Sequence, residues 1–219
     1  MVSKIEDYRC TKYDERLRDT EVKKERLKRK IVNESKYKDI RNAITEREEY
    51  KESFFRIYNT KCSYCGVDIS LISYADFEVD HFMCESFCKK HDIEANYLEN
   101  LVLSCRSCNR LKSGLYLDSK DAIHIYPDSN IFKTFYRNDN YKILIIDDYI
   151  DNKLIKEFYE TLKLKSETRR LDYLVMSIDG LSTQCENEQV RDKLKSIAFD
   201  LSKIRRRKFS TLSQIKSTC

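Results

Sequence analysis

The chain has 219 residues, 36% of them charged and 41% hydrophobic, with a formal net charge of +5. That length fits one domain or two small ones with a modest core. No apolar run reaches the roughly 18 residues that span a membrane, and the opening MVSKIEDYRC has no apolar h-region of a secretory signal. A reducing cytoplasm is the expected location, where the nine cysteines read as metal ligands or free thiols and not as disulfides.

In chain order, residues 1–57 read as a charged N-terminal helical region. Tyr50, Phe54, Ile57 and Tyr58 fall on one apolar helix face, and Ile40 and Ile44 extend similar spacing upstream. The stretch before residue 35 is weakly apolar, and reads as an exposed helix or partly disordered chain. KKERLKRK (Lys23–Lys30) and KIRRRK (Lys203–Lys208) are basic clusters, either solvated helix faces or phosphate contacts.

Residues 61–113 break the helical pattern, inside an expected central core of residues 58–118. Cys62 and Cys65 form one C-x2-C pair, with Gly66 suiting the knuckle turn, and Cys105 and Cys108 form another. Two such pairs supply the four thiolates of a structural zinc site. Between them, FEVDHF alternates like a half-buried strand ending in Asp80 and His81. Adjacent strand residues point to opposite faces, so a shared site requires the chain to leave the strand there. Asp80 and Asn109 offer oxygen to a hard divalent ion. Arg106 and Lys112 lie three residues to either side of Asn109, within reach of phosphate oxygens. Cys84, Cys88 and His91 are spaced for metal but also lie on one face of a short amphipathic helix, and core packing is the favoured reading. Cys10, Cys185 and Cys219 read as free thiols.

Residues 119–219 read as a C-terminal β-hairpin and helices. AIHIYP and IFKTFYRNDNYKILII have strand character, with turn chemistry at Asn138, Asp139 and Asn140. Leu154, Phe158 and Leu162 mark one helix, and Leu171, Leu174 and Ile178 a second. Val190, Leu194, Ile197, Leu201 and Ile204 mark a final amphipathic helix. No internal repeat and no Walker-type motif occurs.

The segments C62SYC65G, E78VD80H81F and E99N100LVLSC105RSC108N109RLK112S resemble, in order and spacing, the HNH nuclease family in its zinc-buttressed form. The same order of D-H, N-x-V-L and N-R-x-K-S occurs in the HNH domain of RNA-guided CRISPR nucleases. The resemblance covers about residues 58–118. It implies an α+β, mainly helical fold with a central ββα-metal core, a four-cysteine zinc site and flanking N- and C-terminal helices. It also implies an endonuclease that hydrolyses DNA to 5′-phosphate and 3′-hydroxyl ends. His81 would be the general base, and Asp80 and Asn109 would hold Mg²⁺ or Mn²⁺. Asn100 would brace the loop carrying the histidine, and Cys62, Cys65, Cys105 and Cys108 would hold Zn²⁺. Arg106, Arg110 and Lys112 would contact the nucleic-acid backbone and make binding salt-dependent. The third family letter is Asn109 and not His. The Pro and paired Gly common after D-H are missing from FMCESFCKKHDIEANYLE, a helical-looking insertion.

The tail more weakly resembles HNH nuclease subunits of bacterial anti-phage systems such as Septu-type pairs, which implies an effector of a defence complex with an ATPase or other sensor partner. Two rival readings are a catalytically silent zinc-ribbon adaptor that binds nucleic acid or protein, and an RNase of the same fold.

Overall fold

The computed structural model describes residues 7–34, 39–113, 115, 117 and 120–215, with side chains as far as 208. Helices α1 (Thr20–Glu34), α2 (Ile40–Glu46) and α3 (Glu48–Ile57) precede strand β1 (Phe77–His81). Helix α4 (Glu85–Lys90), strand β2 (Leu101–Cys105) and helix α5 (Arg106–Lys112) follow. A short helix α6 (Ile131–Thr134) leads into strands β3 (Phe135–Arg137) and β4 (Ile143–Ile145), then helices α7 (Lys153–Thr161), α8 (Glu167–Gln184) and α9 (Glu188–Ile215). The molecule is α+β and mainly helical, as expected. Among the described residues no helix is long and apolar enough to cross a membrane.

The two sheets are antiparallel pairs. β1 runs against β2 with Phe77 opposite Cys105 and His81 opposite Leu101, while Phe135 of β3 faces Ile145 of β4. The second pair confirms the hairpin expected around Asn138, whose side-chain oxygen accepts from the backbone of Asn140 and Lys142. Two strand expectations are corrected. Residues 120–125, including most of AIHIYP, form a 3-10 turn, and Ile131–Thr134 are helical. Their apolar residues satisfy burial without alternation: Ile125 and Ile131 are both buried, so β-branching alone misled the reading.

The helical periodicities hold. Tyr50, Phe54 and Ile57 are buried on α3. The chain breaks at Arg47, so Ile40 and Ile44 belong to a separate helix, started by Asp39 accepting from the Asn42 amide. α9 departs from a simple amphipathic reading. Ala198 and Arg205 are buried, whereas Val190, Ile197 and Ile204 are exposed. The 18-residue α8 is its main neighbour, and one helix covers only part of the apolar arc.

One hydrophobic cluster runs from Tyr8 to Leu164 and takes residues from all three expected regions. Its centre is aromatic, with Tyr64 edge-on to Phe158 and Phe135 stacked on Phe158 and Tyr159. Polar anchors add to it. Lys24 of α1 is buried, donates to Leu101 O at 2.6 Å and pairs with Asp128, which also accepts from Tyr58 Oη at 2.8 Å. Burial lowers the Lys24 pKa, which is offset by the Asp128 carboxylate.

The N-terminal segment straps the first cysteine knuckle. Arg9 is buried and donates to Ser63 O at 2.8 Å and Pro127 O at 2.9 Å. Gly66 sits beneath it at φ +77°, and a Cβ there would fall 2.6 Å from both Arg9 Cα and Arg9 O. Gly66→Ala should therefore destabilise the fold on the order of 2–3 kcal/mol, because backbone strain and a backbone clash add. Denaturant unfolding measures this, and a change within about 0.5 kcal/mol would contradict the strap.

Candidate active site and four-cysteine cluster

The two knuckles converge. The Sγ atoms of Cys62, Cys65, Cys105 and Cys108 lie within 4.8 Å of one another and all four residues are buried. The first knuckle closes through Gly66 N–H to Cys62 O at 2.9 Å and is sewn to β2 by Ser63 N–H to Leu103 O at 2.8 Å. Cys105 ends β2 and caps α5, its sulfur accepting from the Cys108 amide at 3.5 Å. A tetrahedral ion with metal–sulfur bonds of about 2.3 Å sets sulfurs about 3.8 Å apart, and Cys65 and Cys105 Sγ are 3.9 Å apart. The donor set and spacing therefore fit a tetrahedral, thiophilic ion. Burial pushes the Cys65 thiol well up, while Cys62, despite its burial, is held down by hydrogen bonds from Cys105 and Cys108.

Cys84, Cys88 and His91 join no metal-binding cluster among the described residues. Cys88 is buried with Phe87 on α4, whereas Cys84 is half-buried and His91 is exposed, its ring against Phe87. Core packing thus holds for Cys88 but not for the whole face. Cys10 and Cys185 are free thiols, and Cys219 lies outside the described residues.

β1 and α5 form a seam of paired polar groups. Glu78 and Asp80, two apart on the strand, both face α5. Glu78 accepts from Asn109 Nδ2 at 2.6 Å and pairs with Arg106 Nε at 3.0 Å. Asp80 accepts from Tyr64 Oη at 2.8 Å and lies 3.4 Å from Lys112 Nζ. Glu78 joins this candidate site although the motif reading gave it no role; its signal was the two-residue spacing from Asp80. Because a carboxylate only accepts, the Asn109 amide nitrogen must face Glu78, which turns its oxygen away. No hydrogen bond joins Asp80 to Asn109, so the seam holds them as separate rungs.

His81 does not leave the ladder. It stays paired opposite Leu101, and its ring turns away from the seam. His81 Nε2 bonds Asn96 Oδ1 at 2.8 Å, and Nδ1 lies 3.5 Å from the exposed Glu85. Both partners come from the insertion between the strands. Asn96 had no sequence signal, since only folding brings it back to the strand end. Burial lowers the His81 pKa and so favours the neutral ring, against the opposite pull of Asn96 and Glu85. Asn100 is buried and ties this insertion together. Its Nδ2 donates to Met83 O at 3.0 Å and Ala95 O at 2.9 Å, and its Oδ1 accepts from Met83 N at 2.8 Å.

The expected phosphate contacts need correction. Lys112 is buried and donates to His81 O at 2.7 Å, so it holds the strand end beside Asp80 and does not reach outward. Arg106 is engaged by Glu78, by Asp76 at 3.4 Å and by Ala75 O at 3.0 Å. Of the three cations, only Arg110 is exposed. The basic clusters are also interleaved with acids. Lys28 pairs with Glu99, Arg29 with Glu25, and Lys203 with Asp200.

Residues 62–114 match the HNH endonuclease family model. The HNH segment spans roughly a quarter of the chain and contains both knuckles, β1, β2 and α5. No curated protein and no solved structure matches the chain, and the Septu-type resemblance of the tail has no counterpart among these comparisons.

Burial pushes the Asp80 carboxyl up from 3.8 to about 6, although Lys112 and Tyr64 pull it down. Folding therefore favours its protonated form. That contribution is complete below about pH 4 and is lost as pH rises through about 6. Relative to Asp80→Asn, which cannot ionise, the metal-free wild type should lose on the order of 2–3 kcal/mol of unfolding free energy between about pH 4 and pH 7. Parallel urea-unfolding stabilities for the two proteins across that range would refute it.

Proposed function

We propose that this chain is a metal-dependent endonuclease that hydrolyses DNA phosphodiester bonds, with His81 as general base. One observation carries the reading: within an HNH segment, the end of β1 holds His81 against Asn96 on one face and sets Glu78 and Asp80 toward α5, where Glu78 meets Asn109, on the other. Asn96 accepts the Nε2 proton of His81, which leaves the Nδ1 lone pair to take a proton from water. Asn100 orients the loop and takes no proton.

Asp80 and Asn109, with Glu78 adjacent, would hold Mg²⁺ or Mn²⁺; these oxygen donors suit a hard ion. Such an ion, when bound, supplies Lewis-acid stabilisation of the scissile phosphate. The four cysteines would hold structural Zn²⁺ and keep β2 and α5 in register. A water attacking phosphorus and a departing 3′ oxygen give 5′-phosphate and 3′-hydroxyl ends. The fuller form of the reading, an effector of a bacterial or phage defence-type complex with an ATPase or sensor partner in the cytoplasm, rests on the tail resemblance alone.

The test is cleavage of supercoiled plasmid and of a structured RNA with Mg²⁺ or Mn²⁺. Wild type should nick or linearise the plasmid, EDTA should abolish this, and His81→Ala should slow it at least about a hundredfold. Cleavage of RNA alone would favour the RNase, and no cleavage by folded, zinc-loaded protein would favour the silent adaptor. Asn96→Ala should slow cleavage less than His81→Ala and should also erase the Nε2–H tautomer preference of His81 in ¹⁵N-histidine spectra. An unchanged tautomer would remove Asn96 from the mechanism.

A further inference from the structure

Helix α8 lies outside the family match and outside the main hydrophobic cluster, yet it reaches the cysteine knuckles with a charge. Arg169, in its first turn, is 6% exposed. Its Nη2 donates to Cys108 Sγ at 3.1 Å. Its Nη1 lies 3.7 Å from Asp172 Oδ2, an oxygen with no hydrogen bond of its own. The other oxygen of Asp172 is taken by Nε of the buried Arg205 on α9.

Asp172 meets Arg169 only at 3.7 Å and is bonded to Arg205 through its other oxygen, so it answers the charge of Arg169 incompletely. An unbalanced positive charge in the interior costs several kcal/mol unless a further anion answers it. Neutral thiols do not answer it. Four thiolates around one divalent ion do, because that centre carries a net charge of −2. Cations that donate N–H to metal-bound sulfur also lower the sulfur's electron density and hold the ligand in place.

We propose that Arg169 is an outer-sphere hydrogen-bond donor to a metal–thiolate centre at Cys62, Cys65, Cys105 and Cys108, and that the α8–α9 pair is docked on the HNH segment by the charge of that centre. Metal binding and docking of the C-terminal helices are then one linked equilibrium. Cys108 lies in the first turn of α5, the helix that carries Asn109 and Lys112, so the same contact steadies the polar seam from behind. This proposal rests on the zinc reading of the knuckles and is independent of whether the chain cuts nucleic acid.

The experiment has two readouts besides activity, on the full chain. The first is transfer of zinc to a chromogenic chelator, with the Co²⁺-substituted protein followed by its sulfur-to-metal charge-transfer band. Arg169→Met should release zinc about tenfold or more faster than wild type and move the band to lower energy, and Arg169→Lys should recover part of both. The second is hydrogen exchange of wild type with and without zinc. Removing zinc should deprotect α8 and α9 together with the knuckles. Release rate and band position unchanged in folded Arg169→Met would overturn the proposal. Should that variant fail to fold, helices that keep their protection in zinc-free wild type would overturn it equally. Wild type that binds neither zinc nor Co²⁺ would sink the zinc reading itself, and the proposal with it.

Discussion

The convergence of four cysteine sulfurs within 4.8 Å is the constraint on which the rest of the structure depends. It closes a chain loop between residues 65 and 105, bringing the first knuckle against the junction of β2 and α5. Without it, two strands of five residues would be a marginal hairpin with no turn to set their register. With it, β2 is pinned at Cys105 and α5 leaves the sheet at a fixed angle. The seam's Arg106, Asn109 and Lys112 project from α5, and its Glu78 and Asp80 from β1, the strand paired with β2.

In the seam between β1 and α5 each polar group is held by a partner. Glu78 occupies the Asn109 amide, and Lys112 and Tyr64 occupy Asp80. Lys112 also bonds His81 O, so the cation that balances the buried carboxylate fixes the backbone of the histidine. Burial works in opposite directions on the two titrating groups, raising Asp80 and lowering His81, and so favours the neutral form of each.

Beside the shared apolar cluster, buried charges fasten the flanking segments to this core. Lys24 brings α1 to the Leu101 carbonyl at the start of β2, Arg9 brings the N-terminal segment to the first knuckle, and Arg169 brings α8 to the second. Each cation is directed at backbone carbonyls or sulfur of the HNH segment, and each also meets a carboxylate. Directional contacts of this kind specify how a helix sits more narrowly than apolar burial does.

What the sequence by itself determined was everything that local spacing encodes. The paired C-x2-C units, the strand ending in Asp80 and His81, and the helices through Phe54, Phe158 and Leu171 follow from periodicities of two and near four, which survive any tertiary setting. The tertiary structure alone decided where the charges go. Lys112 and Arg106 sit at the spacing of phosphate ligands, but Asp80, Glu78 and Asp76 meet them first. Asn96 and Arg169 carry no motif, because their partners lie 15 and 61 residues away in the chain. Strand expectations failed at residues 122–127 and 131–134 for the same reason: β-branched side chains will pack in any backbone that buries them, and the choice belongs to the neighbours.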